Sequence, residues 1–333
     1  MPITLDIFRG DAFSIDTLTA AINNPPEGQI IPPSPVDFDE EGVTTLSVMI
    51  EREGDSLSLV PATERGSPGD VTIGGKRDMV PFALLHLQTR ANVMADEVQG
   101  VRAFGSTTET QMISDLVNKR LLKMRSRIDA TLAFHRFGAL TGKIYDANGE
   151  NLLLDLFHHF GITQQTMSLA LGASGTNIQQ KIRDVKRIVE NSLSGSANIT
   201  GWRAVCGRGF YDAFVSHAKV EEAFNRWNDG AFLRSSNMHG FEFGEVSWKP
   251  WYGKVGNTLY IDPDVAYLVP VGIPGLFISR FGPADYIETV NTLGLPYYAK
   301  QEVMDFDKGI MLEAQSNPLN ICTKPRAIIK LTK

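Results

Sequence analysis

Hydrophobic and polar residues alternate along "VTTLSVMIE" (residues 43–51), with Leu46, Val48 and Ile50 on one face and Thr45, Ser47 and Met49 on the other. A period of two predicts a strand, and "SLSLV", with Leu57 and Leu59, continues it beyond a turn at "REGD". "MVPFALLHL" returns as a third apolar run. Between them lies "PATERGSPGDVTIGGKRD", glycine-studded and charge-dense, with Glu64, Arg65, Asp70, Lys76, Arg77 and Asp78. Residues 43–87 therefore read as a protruding β-arm with a charged tip. A two-stranded arm is marginal in water by itself, so it is a candidate for packing on another molecule.

The period then changes. Ile113, Val117, Leu121, Met124, Ile128 and Leu132 recur at spacings of three and four. "STTE" (Ser106 to Glu109) fits a capping box before them, and Gly138 and Gly142 mark the end. The pattern predicts a helix of about 30 residues, roughly 45 Å long. "NIQQKIRDVKRIVENSL" predicts a second amphipathic helix with Ile178, Ile182, Val185 and Val189 inward. "KIYDANGENLLLDLF" reads as a hairpin turning at Asn148-Gly149. "WRAVC" reads as a buried strand, "GRGFYDAFVSH" and "KVEEAFNRW" as helices, and most of the chain beyond as strands. The class is α+β.

Residues 1–42 have a different character. "FSIDTLTAAINN" makes a short helix, capped by Ser14 or Asp16, with Leu18 and Ile22 on one face. It is followed by "PPEGQIIPPSPVDFDEEG", whose five prolines make a semi-rigid strap. Arms and straps of this kind are expected to bury surface only across subunit boundaries.

Composition narrows the options. Hydrophobic residues at 43% and charged residues at 21% allow a sizeable core. A net charge of -6 argues against a dedicated nucleic-acid binder, which would carry a basic excess. The two cysteines, Cys206 and Cys322, sit in apolar settings and read as buried reduced thiols of a cytosolic product. The N-terminus has no signal-peptide core, and no run of about 18 apolar residues predicts a membrane span.

Chemistry is sparse. "DVTIGGK" and "GALTGKI" both fail as phosphate loops, and no nucleophile elbow, dinucleotide fingerprint or His-Glu-x-x-His occurs. His158-His159 lacks a third ligand, Asp262-x-Asp264 reads as a turn, and Trp248 and Trp251 read as packing residues. The long helix carries a basic row, Lys119, Lys123 and Arg127, with Arg120 and Arg125 alongside and Asp115 and Asp129 in partial balance. An ordinary solvated face explains that row better than specific binding does, while loose contact with packaged nucleic acid stays open. No catalytic, cofactor-binding or metal site is expected.

The sequence resembles the major capsid proteins of tailed phages, in the lambda-type head protein E group. The resemblance is carried by "DAFSIDTLTAAIN", "GVTTLSVMIEREGDSLSLVP", "RGSPG", "DEVQGVRAFGS", "RIDATLAFHRFGALTGKIYDANG", "LFHHFGITQ" and "PYYAKQEVMDFDKGIMLEAQSNPL", which cover most of the chain in family order. It implies the tailed-phage capsid shell fold, shared with encapsulins and the herpesvirus capsid floor. On that basis residues 1–42 are an N-terminal arm, 43–87 an extended β-loop and 88–171 a peripheral domain with a spine helix. Residues 172–295 form an axial domain, and 296–333 return to the peripheral domain as strands.

The implied function is self-assembly, as hexamers and pentamers, into an icosahedral head enclosing double-stranded DNA. Glu64, Arg65, Lys76, Arg77 and Asp78 would pair with a neighbouring subunit, and Leu57, Leu59, Val71, Ile73, Val80 and Phe82 would supply the burial. Lys119, Lys123 and Arg127 are the candidate DNA-facing residues. Implied partners are further copies of the chain, a portal, a separate scaffold or protease and non-specifically packaged DNA. A decoration protein is neither required nor excluded, and no membrane or cofactor is implied. Assembly would occur in the host cytoplasm and the product would reside in the virion. The arm motif begins within the first 15 residues, which leaves no room for a fused scaffold. Some proteins of this fold form Lys–Asn crosslinks, but no motif places Lys76 with Asn317 or Asn320 in that role. The alternatives are an encapsulin-like nanocompartment or an enzyme whose site is unrecognised.

Overall fold

A computed structural model describes residues 13–24, 34–52, 78–98, 109–193, 198–229, 240–255 and 258–333. In chain order, α1 (Ile15–Asn23) precedes β1 (Asp39–Gly42), β2 (Ser47–Arg52), β3 (Asp78–Ala83), β4 (Leu87–Met94) and the single turn α2 (Ala95–Val98). The long helix α3 spans Glu109–Thr141. Next come β5 (Lys143–Tyr145), β6 (Leu152–Asp155), α4 (Leu156–His159), β7 (Gln165–Ser168), α5 (Ile178–Ser192), β8 (Gly201–Cys206), α6 (Arg208–Val215) and α7 (Ala218–Asp229). The remainder is mostly strand: β9 (Phe241–Phe243), β10 (Val246–Pro250), β11 (Lys254–Val255), β12 (Thr258–Leu259), β13 (Val265–Val271) and β14 (Phe277–Phe281). The chain closes with β15 (Tyr298–Val303), β16 (Gly309–Ser316), β17 (Pro318–Cys322) and β18 (Ile329–Thr332). The class is α+β, as the two periodicities predict.

Two cores organise these elements. The larger surrounds a six-stranded sheet ordered β7-β18-β13-β8-β10-β9. Six of the seven residues of β13, "VAYLVPV", are buried, as befits an interior strand flanked by β8 and β18. Helix α5 buries Ile178, Ile182, Val185 and Val189, one stripe at helical spacing. Trp248 stacks on Phe214, ring centroids 4.1 Å apart, and donates its Nε1–H to Phe243 O at 3.0 Å. It is a core residue, as read from the sequence.

The smaller core lies along the first two-thirds of α3. Val117, Leu121, Met124, Ile128 and Leu132 face Val93 of β4 and Ala299, Ile310, Leu312 and Ala314 of the sheet β15-β16-β4. Beyond them Phe137 and Leu140 belong to the larger core. A 33-residue helix, about 50 Å long, is thus needed because it spans both cores. It stops at Gly142, whose φ of +82° and close approach to the Phe157 ring leave no room for a Cβ.

The N-terminal helix departs from expectation. Ser14 Oγ accepts from the Thr17 N–H, and Leu18 and Ile22 are buried as predicted, but against this chain's own α3 and β15. The Thr19 hydroxyl accepts from Ala299 N–H at 3.2 Å and donates to Ala299 O at 3.4 Å, and Asn23 Nδ2 donates to Tyr297 O at 2.8 Å. These side chains satisfy the otherwise unpaired edge of β15. The helix therefore buries surface inside the subunit rather than only across a boundary.

The C-terminal stretch is divided. β15 and β16 pair beside α3, β17 joins β14 and β1, and β18 inserts between β13 and β7 in the large sheet.

Candidate inter-subunit surface

Glu64, Arg65, Lys76 and Arg77 lie outside the described residues, as do Leu57, Leu59, Val71 and Ile73. Asp78 opens β3, where its backbone pairs with Arg52. What is described is the base of the arm. There β2 and β3 pair antiparallel from Ser47↔Ala83 to Arg52↔Asp78. Strand alternation puts Ile50 and Phe82 inward, with Val48 and Val80 half-buried beside them. Phe82 lies 5.4 Å, centroid to centroid, from both His159 and Phe160.

Two expectations change here. Phe82, 1% exposed, packs on its own subunit rather than supplying burial against a neighbour. Leu46 lies before β2 and is 71% exposed, so the predicted inward face starts at Val48. On the opposite face of the ribbon, Ser47, Met49, Met79, Pro81 and Ala83 are exposed. Exposed apolar side chains on an anchored ribbon can bury area against another surface.

Lys119, Lys123 and Arg127 are all exposed on one side of α3, at intervals of four. Arg127 reaches Thr89 Oγ1 at 3.3 Å. Asp115, exposed four residues before Lys119, shares that face, but the other expected companions do not. Arg120 pairs with Glu97 at 2.5 Å. Arg125 is buried, with Nε 3.6 Å from Asp129 Oδ2, its guanidinium 4.5 Å from the Tyr297 ring centroid, and Nη1 donating to Ile22 O. Asp129 accepts from the Tyr297 hydroxyl, so it is no counter-charge to the row. Burial, then this bond and charge, push the Tyr297 phenol up.

Cys206 and Cys322 are free and fully buried, and burial pushes both thiols up, that of Cys322 to about 12. That agrees with the reduced-thiol reading. Asn317 donates to Pro283 O at 2.7 Å and its Oδ1 lies 2.7 Å from His86 Nδ1. Asn320 Oδ1 lies 2.5 Å from Ser279 Oγ in the core. Asp262 and Asp264 form a turn, with Asp264 N–H donating to Asp262 Oδ1. Among the described residues, no group of three or more His, Cys, Asp or Glu side chains could hold a metal, and no helix is long and apolar enough to cross a membrane.

His135 was not singled out by the sequence, which shows only a polar residue on a helix. It is 1% exposed on α3, and burial lowers its pKa to about 4, partly offset by Asp146 and the Tyr145 main chain. Above the unfolded value near 6.5, both states are neutral. As pH falls from there towards 4, the unfolded chain takes a proton that the folded chain refuses. Stability present at neutral pH is lost through that window, on the order of 3 kcal/mol for this group. Urea titrations at pH 7 and pH 4.5 should show that loss shrinking in His135→Leu, and an unchanged loss would exclude the residue.

The sequence model of a family described as "Phage major capsid protein E" matches residues 14–333. The chain is 26% identical over 326 residues to the major capsid protein of Salmonella phage Felix O1, covering 88% of each. It is 26% identical over 316 residues to that of Pseudomonas phage KPP10, covering 88% of this chain and 89% of the relative. Its fold resembles the crystal structure of a putative capsid protein from a prophage of E. coli CFT073, with a TM-score of 0.55, 14% identity, and coverage of 96% of this chain and 98% of that one.

Proposed function

Because the chain belongs to the phage major capsid protein E family, we propose that it assembles as hexamers and pentamers into an icosahedral head that encloses double-stranded DNA. Family membership across residues 14–333 carries this reading. On it, residues 1–42 are the N-terminal arm, 43–87 the extended loop, 88–171 the peripheral domain and 172–295 the axial domain. Residues 296–333 return to the peripheral domain, a reading supported by β15 and β16 packing beside α3, while β18 joins the large sheet. The charged tip, with Glu64, Arg65, Lys76, Arg77 and Asp78, crosses to a neighbouring subunit. The role is structural, without catalysis or cofactor. A portal, a separate scaffold or protease, and a decoration protein are the further partners that the family resemblance suggests, with assembly in the host cytoplasm.

The test of self-assembly is sedimentation of the purified chain, alone and with its neighbouring gene products. Large particles or free hexamers and pentamers are expected, and a single small species under every condition would oppose the reading.

Lys119, Lys123 and Arg127 are proposed to face packaged DNA without reading its sequence. Three exposed cations on one helix face suit phosphate contact, whose salt slope is about 0.9 per phosphate on B-DNA. Replacing all three with alanine should leave shells intact and reduce the salt slope of DNA binding by roughly 3. An unchanged slope would place the row away from DNA.

A further inference from the structure

The segment between β14 and β15 turns Ile287, Val290, Leu293 and Leu295 outward, Ile287 being 91% exposed. A slack loop would explain this cheaply, but the segment is pinned. Thr289 Oγ1 donates to Ala284 O at 2.8 Å, Asp285 N–H to Gln315 Oε1 at 3.1 Å and Tyr286 Oη to Glu313 Oε1 at 3.2 Å. Leu295 N–H donates to Tyr298 Oη at 2.9 Å. Gly294 passes so close to β14 that a Cβ would collide with Phe281 O. The apolar side chains are held in place facing water, which is a preorganised surface.

A second feature lies at the turn of the hairpin formed by β15 and β16. Phe306, in the turn between β15 and β16, is 90% exposed with φ +60°, and Asp307 follows at φ +56°. Left-handed backbone is strained at an aromatic residue. The Lys308 ammonium lies 5.6 Å from the Phe306 ring centroid.

We propose that these are the two halves of one contact, in which Phe306 of one copy seats against Ile287, Val290 and Leu293 of the next copy in the shell. The inference rests on the shell reading, which supplies the second copy as occupant. A knob and an apolar seat presented by different segments of one subunit suit a head-to-tail contact, the kind that closes into rings and shells. One aromatic and three aliphatic side chains bury far less than the roughly 1,000 Å² of a free-standing interface. The contact therefore forms only beside the larger contacts of the assembled shell, and free subunits do not associate through it.

Electron cryomicroscopy of the wild-type particle should place the Phe306 ring within about 4.5 Å of Ile287, Val290 or Leu293 of an adjacent copy. A ring facing solvent or another surface overturns the contact. In solution, F306C combined with L293C gives an independent readout, because Cys206 and Cys322 are fully buried and leave mild oxidation to the new pair. Oxidised particles of the double variant should give covalent multimers beyond the dimer, and each single variant only monomers. Dimers from F306C alone would mean tip-to-tip packing and overturn the proposal, as would assembled double-variant particles that stay monomeric. Where a cysteine variant does not assemble, the wild-type map decides. Failure of the wild type to form any particle is a separate outcome, which removes the shell reading and this contact with it.

Discussion

Deleting residues 62–77 is expected to abolish closed shells while leaving a folded subunit. The deletion starts ten residues beyond the end of β2 and stops just before β3, so every paired position from Ser47↔Ala83 to Arg52↔Asp78 is retained. Ile50 and Phe82 keep the arm's base in the larger core, and Phe82 keeps its rings at His159 and Phe160. What is lost is the charged tip that we propose crosses to the neighbour. Exposed ion pairs contribute about 0–1 kcal/mol each, so reversing Arg65 or Lys76 alone should barely change assembly. Deleting 62–77 removes Glu64, Arg65, Lys76 and Arg77 together, and with them the apolar Val71 and Ile73, while Asp78 stays in β3. Circular dichroism and urea unfolding check the fold, and negative-stain microscopy counts the shells. Normal shell numbers from the deletion would show that the tip is dispensable.

The largest effect expected from a single substitution is at Asp129. Asp129→Ala should cost about 3–5 kcal/mol, because it leaves the Arg125 guanidinium buried and unpaired. Their side chains are 3% and 8% exposed. The Tyr297 hydroxyl loses its acceptor in the same step, and Arg125 also holds the C-terminal end of α1 through Ile22 O. The helix should loosen first, so limited proteolysis should cut near residues 24–34 faster than in the wild type. Replacing both charges with apolar residues, Arg125→Met with Asp129→Leu, should cost less than the single change, since no charge is stranded. A loss under 0.5 kcal/mol for Asp129→Ala would mean that the pair does not hold the helix.

The same pair marks where sequence reading stopped. Ile128 and Leu132 recur at helical spacing, so their burial in α3 was legible. Arg125 and Asp129 looked like members of a solvated face, because composition cannot say which charges α1 and Tyr297 will cover. Local signals sufficed for α1, α3, α5 and the hairpin β5–β6, whose turns, caps and periods lie within a few residues. They did not suffice for β1, β7 and β17. "DEEG", "QTMS" and "PLNIC" show no alternation, and they become strands by pairing with partners far away in sequence, β14 or β18. The destination of β18 was hidden for the same reason. On the candidate surface, alternation put Ile50 on the apolar face of its strand and Phe82 fell in the returning apolar run, but neither signal says which molecule they pack on. The exposure of Phe306 had only a faint signal, an aromatic residue between two aspartates in "DFDK". The outward face of residues 287–295 had none, since its apolar spacing matches a buried turn as well as an exposed one.

The most direct test of the shell reading is single-particle electron microscopy of the wild-type chain, purified and mixed with its neighbouring gene products. The account predicts closed shells with clusters of five and six copies and with each extended loop lying over an adjacent subunit. A stable monomer or small dimer under every condition would contradict it.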